Sequence, residues 1–357
     1  MSISKMEFWT NQGLFLRQLL VGIALLLAAC HSPIRRTPDQ SAWQRFEFTQ
    51  PQMGLPFRLV FYAPDGDAAA SAARDAFQRV SEMNQILSDY ETDSELNLLA
   101  RTSGQNLDVK VSPELWKVLV MAQRRSQESD GAFDVSVGPL ITLWRKARRE
   151  HQLPHPDRIQ AAMARVGYGN IVLNPKARSV RLLLPNMHLD LGGIAKGFAL
   201  DEALRVLQQH GFNRALVTGG GDMALGEAPP GKSGWKIEVP PLDSQTNEPS
   251  QFVHLRNCGF ATSGDAVQKL EMNGVRYSHI VNPKTGLGLT DHSLVYVIAP
   301  DSITADSYST TLSVLGPSRS RILLARIGAP VSARILRKEG SNIEVVQIGE
   351  FPILRDD

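Results

Sequence analysis

One eight-residue segment, Asp190-Leu-Gly-Gly-Ile-Ala-Lys-Gly197, constrains the fold more than any other part of the chain. A hydrophobic run from Arg181 to Leu189 precedes it, and a helix-like pattern follows it. Two adjacent glycines at a strand-to-helix junction let the backbone approach a ligand closely, because no Cβ stands between them. The first N–H groups of the helix then favour an anion such as phosphate. With Asp190 before the turn and Lys196 after it, the segment indicates a polar site compatible with phosphate.

The N-terminus has the features of an export signal. Lys5 and Arg17 precede an apolar stretch from Leu19 to Ala29. That stretch is shorter than the roughly 20 apolar residues of a membrane span and fits the roughly 7–15 residues of a secretory signal. It ends in Leu27-Ala-Ala-Cys30, which is typical of a bacterial lipoprotein signal. We expect Cys30 to be the lipidated N-terminus; an ordinary cleaved signal is the alternative.

This reading divides the chain into four segments. We predict a signal peptide over 1–29, a flexible tether over 30–44, a folded domain over 45–335 and a C-terminal extension over 336–357. The tether is polar, contains prolines and shows no apolar periodicity, so a mobile linker is expected. A lipid anchor would hold the body on a bacterial membrane, facing the periplasm or the cell exterior.

Charge and cysteine content exclude several classes. The chain has 38 basic and 36 acidic residues and no basic block with interleaved aromatics, so nucleic acid is not an expected partner. Cys258 is the only cysteine besides Cys30, which excludes an internal disulfide in the lipidated chain and a cysteine-rich metal site. The cluster of Arg145, Lys146, Arg148 and Arg149 is interpreted as a solvated helical face; contact with an anionic lipid or an acidic acceptor is the second interpretation.

Apolar periodicity predicts a mixed fold. Helices are expected over Ala68–Leu87 with Asp67 as N-cap, from Ser112-Pro113, over Asp157–Val166, from about Ile194 to Gln209, and over Ala305–Leu315. Strands are expected at Phe46–Phe48, Phe57–Tyr62, Asn170–Leu173, Ser179–Leu184, Ala215–Val217, Trp235–Val239, Phe252–Leu255, Ser278–Val281 and Val295–Ala299. Several strands follow one another directly, which suits antiparallel pairing. We therefore predict an α+β fold with mixed, largely antiparallel sheets and packed helices, in two lobes of one body.

Together with the Asp190–Gly197 segment, further motifs in the same order resemble the ApbE family of FAD:protein FMN transferases. The resemblance covers roughly residues 45 to 330. The matching segments are Met53-Gly54, Ser88-Asp-Tyr90 with Ser94-Glu95, Gly131-Ala-Phe-Asp134 with Gly138-Pro-Leu140 and Trp144, Thr262-Ser-Gly-Asp265, His279-Ile-Val-Asn-Pro-Lys-Thr-Gly286, and Thr304-Ala-Asp306 with Thr310.

The resemblance implies a Mg²⁺ site and a flavin site. Asp306 and Thr310 stand at i and i+4 of a predicted helix and so share a face. In the family this pair binds Mg²⁺ with help from a glycine-turn carbonyl, here assigned to Gly193, and Ser309 is counted with the metal residues. His279 is the candidate general base, and Asp306 is counted with it as catalytic. The residues that match FAD contacts are Met53, Tyr90, Ala132, Phe133, Asp134, Asp190, Lys196, Thr262, Ser263 and Val281. Asn282 replaces the Asp usual in its turn and keeps an acceptor without the charge.

The function implied is a Mg²⁺-dependent transferase that moves FMN from FAD to a Thr or Ser hydroxyl of an acceptor flavoprotein, with release of AMP. An FAD-binding lipoprotein that stores or scavenges flavin, and a metal-dependent FAD pyrophosphatase, are the alternatives. The Gly219–Gly221 run lacks the Gly-Lys-Ser/Thr ending of a P-loop and the Rossmann spacing. No zinc-protease or nucleophile-elbow motif occurs in the sequence.

Overall fold

The structure is a computed structural model that describes residues 43–242, 251–264, 269–339 and 342–355. The predicted signal peptide, Cys30 and all but the last two residues of the predicted tether lie outside the described residues, as does Asp265. From Trp43 onward the chain forms a single unit. Among the residues described, no helix combines the length and apolar character needed to cross a bilayer.

The described residues form seven α-helices and sixteen β-strands. The helices are α1 (Gly66–Leu87), α2 (Glu95–Ala100), α3 (Pro113–Glu128), α4 (Gly138–Glu150), α5 (Pro156–Met163), α6 (Ala195–Gln209) and α7 (Ser302–Ile327). The strands are β1 (Gln44–Gln52), β2 (Leu55–Ala63), β3 (Val109–Lys110), β4 (Ile171–Asn174), β5 (Ser179–Leu182), β6 (Ala215–Gly219), β7 (Asp222–Leu225), β8 (Trp235–Val239), β9 (Gln251–Leu255), β10 (Cys258–Gly264), β11 (Lys269–Met272), β12 (Val275–Ser278), β13 (Ser293–Ala299), β14 (Ser332–Glu339), β15 (Asn342–Ile348) and β16 (Leu354–Arg355).

An eight-stranded sheet organises the fold, in the order β1-β2-β6-β7-β10-β13-β14-β15. All of its pairings are antiparallel. Three smaller antiparallel sheets, β16-β9-β8, β3-β5-β4 and β11-β12, complete the set. The predicted α+β class with largely antiparallel sheets is confirmed.

The two faces of the large sheet bury different partners, because side chains alternate along each strand. On β2, Leu59 and Phe61 pack with the helical core, whereas Val60 packs on the opposite face with the small sheet β8-β9-β16. On β13, Val295 packs against α7 and Tyr296 lies on the other face. One face of the large sheet is therefore covered by helices α1, α6 and α7, which bring the motifs of the Asp190 and Asp306 segments together.

Side-chain caps begin both α1 and α3, and the cap of α1 differs from the predicted one. Ser112 caps α3 through Leu115 N at 3.1 Å, with Pro113 at the first helical position as predicted. The prediction of Asp67 as the cap of α1 was wrong. The cap is Asp65, whose extended backbone lets Oδ1 accept from Ala68 N at 2.8 Å. Asp67 lies inside the first turn, where a carboxylate interacts favourably with the positive N-terminal end of the helix dipole.

Several predicted elements differ in extent from the observed ones, and two of these contain motif segments. The strand expected over Ser278–Val281 ends at Ser278, because the Asn273-Gly274 turn, with both φ positive, pairs β12 with β11 and fixes the hairpin register. The helix expected over Ala305–Leu315 runs from Ser302 to Ile327. It passes a kink at Gly316 (φ 69°, ψ 175°) just before Pro317. Strand β14 runs across position 335, so the large sheet continues into the segment 336–357.

Candidate functional site

A lysine between two buried carboxylates lies where α6 and α7 meet the large sheet. Lys196 Nζ is 3.0 Å from Asp222 Oδ2 and 3.1 Å from Asp306 Oδ1. Both aspartates are 1% exposed. Lys196 Nζ also donates to the carbonyl of Gly192 at 3.2 Å. A buried charge needs a partner, and here one ammonium serves two carboxylates.

Three elements hold this cluster. Lys196 lies in the first turn of α6, Asp222 opens β7 directly after the glycine turn, and Asp306 lies early in α7. The helices approach closely at Gly197: a Cβ there would lie 2.3 Å from Ser302 O and 2.8 Å from Asp306 Cβ. The same contact lets Gly197 N donate to Asp306 Oδ2 at 2.9 Å. Glycine is required at 197 to seat the carboxylate.

The electrostatics of the cluster favour an added cation. Burial raises the pKa of Asp222 to about 7; Lys196 opposes this effect, and the nearby carboxylate of Asp306 adds to it. The two aspartates raise the pKa of Lys196 despite its burial, so the ammonium stays charged. With both carboxylates ionised the cluster carries one net negative charge, which a cation would offset.

The residues proposed as Mg²⁺ donors converge at this cluster. Gly193 lies against Thr310, since a Cβ at Gly193 would be 2.9 Å from Thr310 Oγ1. The two Asp306 oxygens each accept one bond from the protein, from Lys196 and Gly197, and each keeps a second lone pair. Hard Mg²⁺ prefers oxygen donors and usually retains waters and substrate phosphates, so the donor set fits such an ion.

Ser309 is oriented by internal hydrogen bonds. Its Oγ donates to the carbonyl of Asp306 at 2.9 Å and lies 2.7 Å from Ser263 Oγ. This contact joins β10 to α7 and places Ser263 beside the cluster. Thr262 N donates to Asp222 Oδ1 at 3.0 Å. Within the described ranges no group of three His, Cys, Asp or Glu side chains could hold a metal ion; the proposed set contains one carboxylate, hydroxyls and a backbone carbonyl.

A second cluster surrounds Tyr90 and Asp190. Arg145 forms ion pairs with Asp89 and, at 2.8 Å, with Asp190 Oδ2. Its guanidinium carbon lies 4.1 Å from the centroid of the Tyr90 ring, and the Tyr90 residue is 73% exposed. Asp190 Oδ1 accepts from Gly192 N at 2.8 Å, which links this cluster to the glycine turn. Burial and then the charge of Asp89 raise the pKa of Asp190 to about 6, against the opposing effect of Arg145.

Asp134 has an internal role in the structure. Its Oδ1 accepts from Ser136 N at 2.8 Å and Ser136 Oγ at 2.6 Å, and its Oδ2 accepts from Tyr168 N at 2.8 Å. Burial raises the pKa of Asp134 against these hydrogen bonds. The neighbouring Ala132 and Phe133 are buried. In this structure the three residues are thus engaged in internal hydrogen bonds and core packing.

The His279 segment packs beside Ala132. Ile280 forms a small apolar cluster with Ala132 and with Val314 of α7, while His279 itself is half-buried. Val281 points into the apolar cluster around Leu140 and Trp144 of α4 and makes a single bridge to Gly288. A cofactor contact from Val281 would thus come from its backbone.

The turn after His279 is held by two further contacts. Asn282 Oδ1 accepts from Lys284 N at 2.9 Å, the acceptor role that the change from Asp preserves. Trp144 Nε1 donates to Gly286 O at 2.9 Å and fixes the turn on α4.

Met53 lies in the tight turn between β1 and β2, with φ 50°, next to Gly54 at φ 74°. Leu55, directly after that turn, packs against Gly220, whose other neighbour is Lys196 Cδ. The Met53 turn is therefore adjacent to the glycine turn that precedes Asp222. All predicted site residues other than Cys30 lie within the described residues. The contacts above join Lys196, Asp306, Ser309, Ser263 and Thr262 in one cluster, and Tyr90 and Asp190 in the other.

Asp222, Asp89 and Arg145 were missed as site residues by sequence reasoning. The only sequence signal for Asp222 is that an acid directly follows the Gly219–Gly221 run. The interpretation of Arg145 as part of a solvated face was wrong, because its side chain is 27% exposed and pairs with two acids. Lys146 and Arg149 are exposed, as that interpretation expected.

Comparison with known proteins gives the class. A curated FAD:protein FMN transferase from Haemophilus influenzae is 32% identical over 312 residues, which is 85% of this chain and 87% of that protein. Another protein of the same name, from Klebsiella pneumoniae, is 30% identical over 337 residues, which is 91% of this chain and 94% of that protein. The protein is a transferase.

The family follows from the whole domain. Residues 53–334 match the model of the ApbE family, so the chain belongs to the ApbE family. A solved structure of a single-residue variant of the flavin transferase ApbE from Vibrio cholerae is 25% identical with a TM-score of 0.77, covering 86% of this chain and 98% of that one. The apo flavinyl transferase ApbE of Pseudomonas stutzeri is 26% identical with a TM-score of 0.75, covering 86% and 95%.

Proposed function

We propose that this protein is a Mg²⁺-dependent FAD:protein FMN transferase. It moves FMN from FAD to a Thr or Ser hydroxyl of an acceptor flavoprotein and releases AMP. The observation that carries the proposal is the cluster of Lys196, Asp222 and Asp306 beside the Gly192-Gly193 turn. This arrangement suits a pyrophosphate accompanied by a divalent cation.

The reaction exchanges one phosphorus–oxygen bond for another. The acceptor hydroxyl oxygen attacks the FMN-side phosphorus of FAD, the pyrophosphate bridge bond breaks, and AMP leaves with the bridging oxygen. The hydroxyl proton passes to a base, for which His279 is the candidate because an imidazole can accept a proton near neutral pH. Catalysis then depends on positioning and on charge stabilisation at the phosphoryl oxygens.

The chain's residues divide these tasks. Asp306, Thr310 and the Gly193 carbonyl would hold Mg²⁺, with Ser309 oriented beside them. When bound, the ion supplies Lewis-acid stabilisation of phosphoryl charge. Lys196 keeps its charge between Asp222 and Asp306 and orients both. Tyr90 offers an exposed ring on which a planar group of FAD can stack.

The test uses the full chain with FAD, Mg²⁺ and an acceptor domain that carries a Thr flavinylation motif. Intact mass spectrometry of the acceptor is read with and without EDTA, together with an AMP assay. A gain of one FMN phosphoester with AMP release, both abolished by EDTA, supports the transferase. AMP and free FMN without acceptor labelling would instead establish an FAD pyrophosphatase, and bound but intact FAD would point to a flavin carrier.

The location of the enzyme is a separate proposal that rests on the sequence around Cys30. Lipidation of Cys30 would anchor the body to a bacterial membrane. Membrane fractionation of cells that express the wild type and Cys30→Ala tests this: the wild type should be in the membrane fraction and the variant should not. An unchanged distribution and an unchanged mature mass would rule the anchor out.

A further inference from the structure

A second arginine at the Tyr90 cluster has no partner in the described part of the chain. Arg148 follows Arg145 by three residues on α4, so both side chains lie on one face of the helix. Arg148 Nη1 is enclosed by protein yet forms no hydrogen bond there. Burial lowers the pKa of Arg148, and the adjacent charge of Arg145 lowers it further. The fold therefore keeps a poorly compensated guanidinium next to the flavin site.

The neighbouring acids do not neutralise it. Asp89 and Asp190 are both engaged by Arg145. Lys146, on the same helix, pairs instead with Glu150 at 3.8 Å. Among the charged groups described around Tyr90, Arg148 is the one that forms no ion pair. The Arg148 side chain as a whole is half-buried and so remains accessible to a ligand. A partly buried guanidinium without an acidic partner is unfavourable, and an anionic ligand would compensate its charge.

The surroundings indicate what that ligand is. The Tyr90 ring has Arg145 near one face and is otherwise widely exposed, so a second planar group can stack on it. Arg148 lies one turn after Arg145 on the same face of α4, and Arg145 lies over the Tyr90 ring, so the Arg148 side chain is near that ring. An aromatic ring beside an unpaired guanidinium offers both contacts that a nucleotide uses, stacking for its ring and paired N–H donors for its phosphate.

We propose that Arg148 is an anion-binding residue of this protein and that it receives a phosphoryl group of the dinucleotide whose ring rests on Tyr90. The inference builds on the proposed function, since it takes FAD as the ligand. It assigns to Arg148 a task distinct from that of Lys196, which is already shared between two carboxylates.

The experiment measures equilibrium binding of FAD and of riboflavin to the full chain by flavin fluorescence, in the presence of EDTA. Riboflavin carries the same ring without phosphate. We compare the wild type, Arg148→Gln, Arg148→Lys and Arg149→Gln. Arg149 is the exposed neighbour and serves as the matched control. The expected result is a tenfold or greater rise in the FAD dissociation constant for Arg148→Gln, with riboflavin binding unchanged. The FAD dissociation constant of Arg148→Lys should lie between those of the wild type and Arg148→Gln. That of Arg149→Gln should equal the wild-type value.

The contrary outcomes are distinct. Unchanged FAD binding in Arg148→Gln overturns the inference, and so does an equal loss of FAD and riboflavin, which would mark a structural effect on the ring site. If FAD binding is unchanged but the KM for the acceptor protein rises, the anion belongs to the acceptor and the phosphate assignment is wrong. Failure of the proposed function is visible separately, as a wild-type protein that binds FAD but labels no acceptor.

Discussion

Arg145 lies with its guanidinium carbon 4.1 Å from the centre of the Tyr90 ring, and its terminal nitrogens reach Asp89 and Asp190. One side chain thereby orients an exposed ring and a buried carboxylate that match flavin contacts of the family. The planar fork of arginine allows this simultaneous pairing and stacking, whereas a lysine provides a single point charge. We therefore expect Arg145 to act as a positioning residue for the flavin ring.

Replacing Arg145 should weaken binding of the ring itself. For Arg145→Gln we expect the dissociation constants of FAD and riboflavin to rise together, by roughly tenfold, which corresponds to about 1.4 kcal/mol. Arg145→Lys should recover only part of the loss. Fluorescence titration measures both ligands, and Lys146→Gln, an exposed neighbour, is the control. Selective loss of FAD with intact riboflavin binding would contradict the positioning role.

The close approach at Gly197 predicts a stability effect. In Gly197→Ala the new Cβ would meet Ser302 O at 2.3 Å, and this contact is backbone that cannot swing away. Overpacking of this kind costs about 1–3 kcal/mol, and displacement of Asp306 should lower transfer activity as well. Denaturant unfolding with a parallel activity assay measures both effects.

Gly169→Ala is the matched control, because nothing lies within 4 Å of a Cβ at that position. The free energy of unfolding of Gly169→Ala should stay within about 0.5 kcal/mol of the wild-type value. A Gly197→Ala variant as stable and as active as this control would show that α6 and α7 can move apart without consequence.

The sequence identified the elements whose patterns are local. Trp235–Val239 is a strand with the predicted bounds, and α6 starts within one residue of its expected position and ends where expected, because alternation, periodicity and glycine punctuation act over a few residues. The kink at Gly316 was not foreseen, because whether a helix resumes after a Gly-Pro pair depends on what its second half packs against.

The family motifs predicted some residues of the site, and the structure added others. Lys196 and Asp306 were expected from the family resemblance, but their ion pair joins residues 110 positions apart. Asp222 lacked a motif of its own, and only the pairing of β6 with β7 brings it to Lys196. Arg145 was hidden in a run of basic residues, where charge alone does not distinguish a buried side chain from a solvated one.

Mg²⁺ binding at Asp306 predicts a gain in stability that needs no turnover. An ion that binds only the folded state stabilises it by about 2.7 kcal/mol at about 100 times its dissociation constant. Thermal unfolding of the wild type should therefore shift upward with Mg²⁺ and back with EDTA. Asp306→Asn should lose this shift.

The control for that experiment is Asp301→Asn on the same helix. Asp301 caps α7 by accepting from Thr304 N at 3.0 Å. Asparagine is an equally good N-cap, so this variant should change the free energy of unfolding little and leave the Mg²⁺ shift intact. An equal Mg²⁺ response in wild type and Asp306→Asn would place the ion elsewhere.

Asp201 predicts a pH dependence of stability at the start of α7. Its carboxylate accepts from Ser302 N at 2.8 Å and Ile303 N at 2.9 Å. Burial raises the pKa of Asp201 from 3.8 to about 7; these two hydrogen bonds and Lys117 oppose the rise, and Asp301 adds to it. The folded state thus holds a proton that the unfolded state releases between about pH 4 and pH 7. The stability linked to that proton is complete below about pH 4 and is lost as the pH rises through 7.

The variant Asp201→Asn removes this titration while keeping an acceptor of similar size. The unfolding free energy of the wild type minus that of Asp201→Asn should therefore decrease as the pH rises from 5 to 8. The decrease is at most about 3 kcal/mol, because about two units separate pH 5 from the folded-state pKa and each unit corresponds to about 1.4 kcal/mol. Urea unfolding at several pH values measures the difference. Asp65→Asn, at the exposed cap of α1, is the comparison, and its difference from the wild type should stay constant over that range. A constant difference for Asp201→Asn too would mean that the carboxylate remains ionised in the folded protein, held by the two backbone N–H groups at the start of α7.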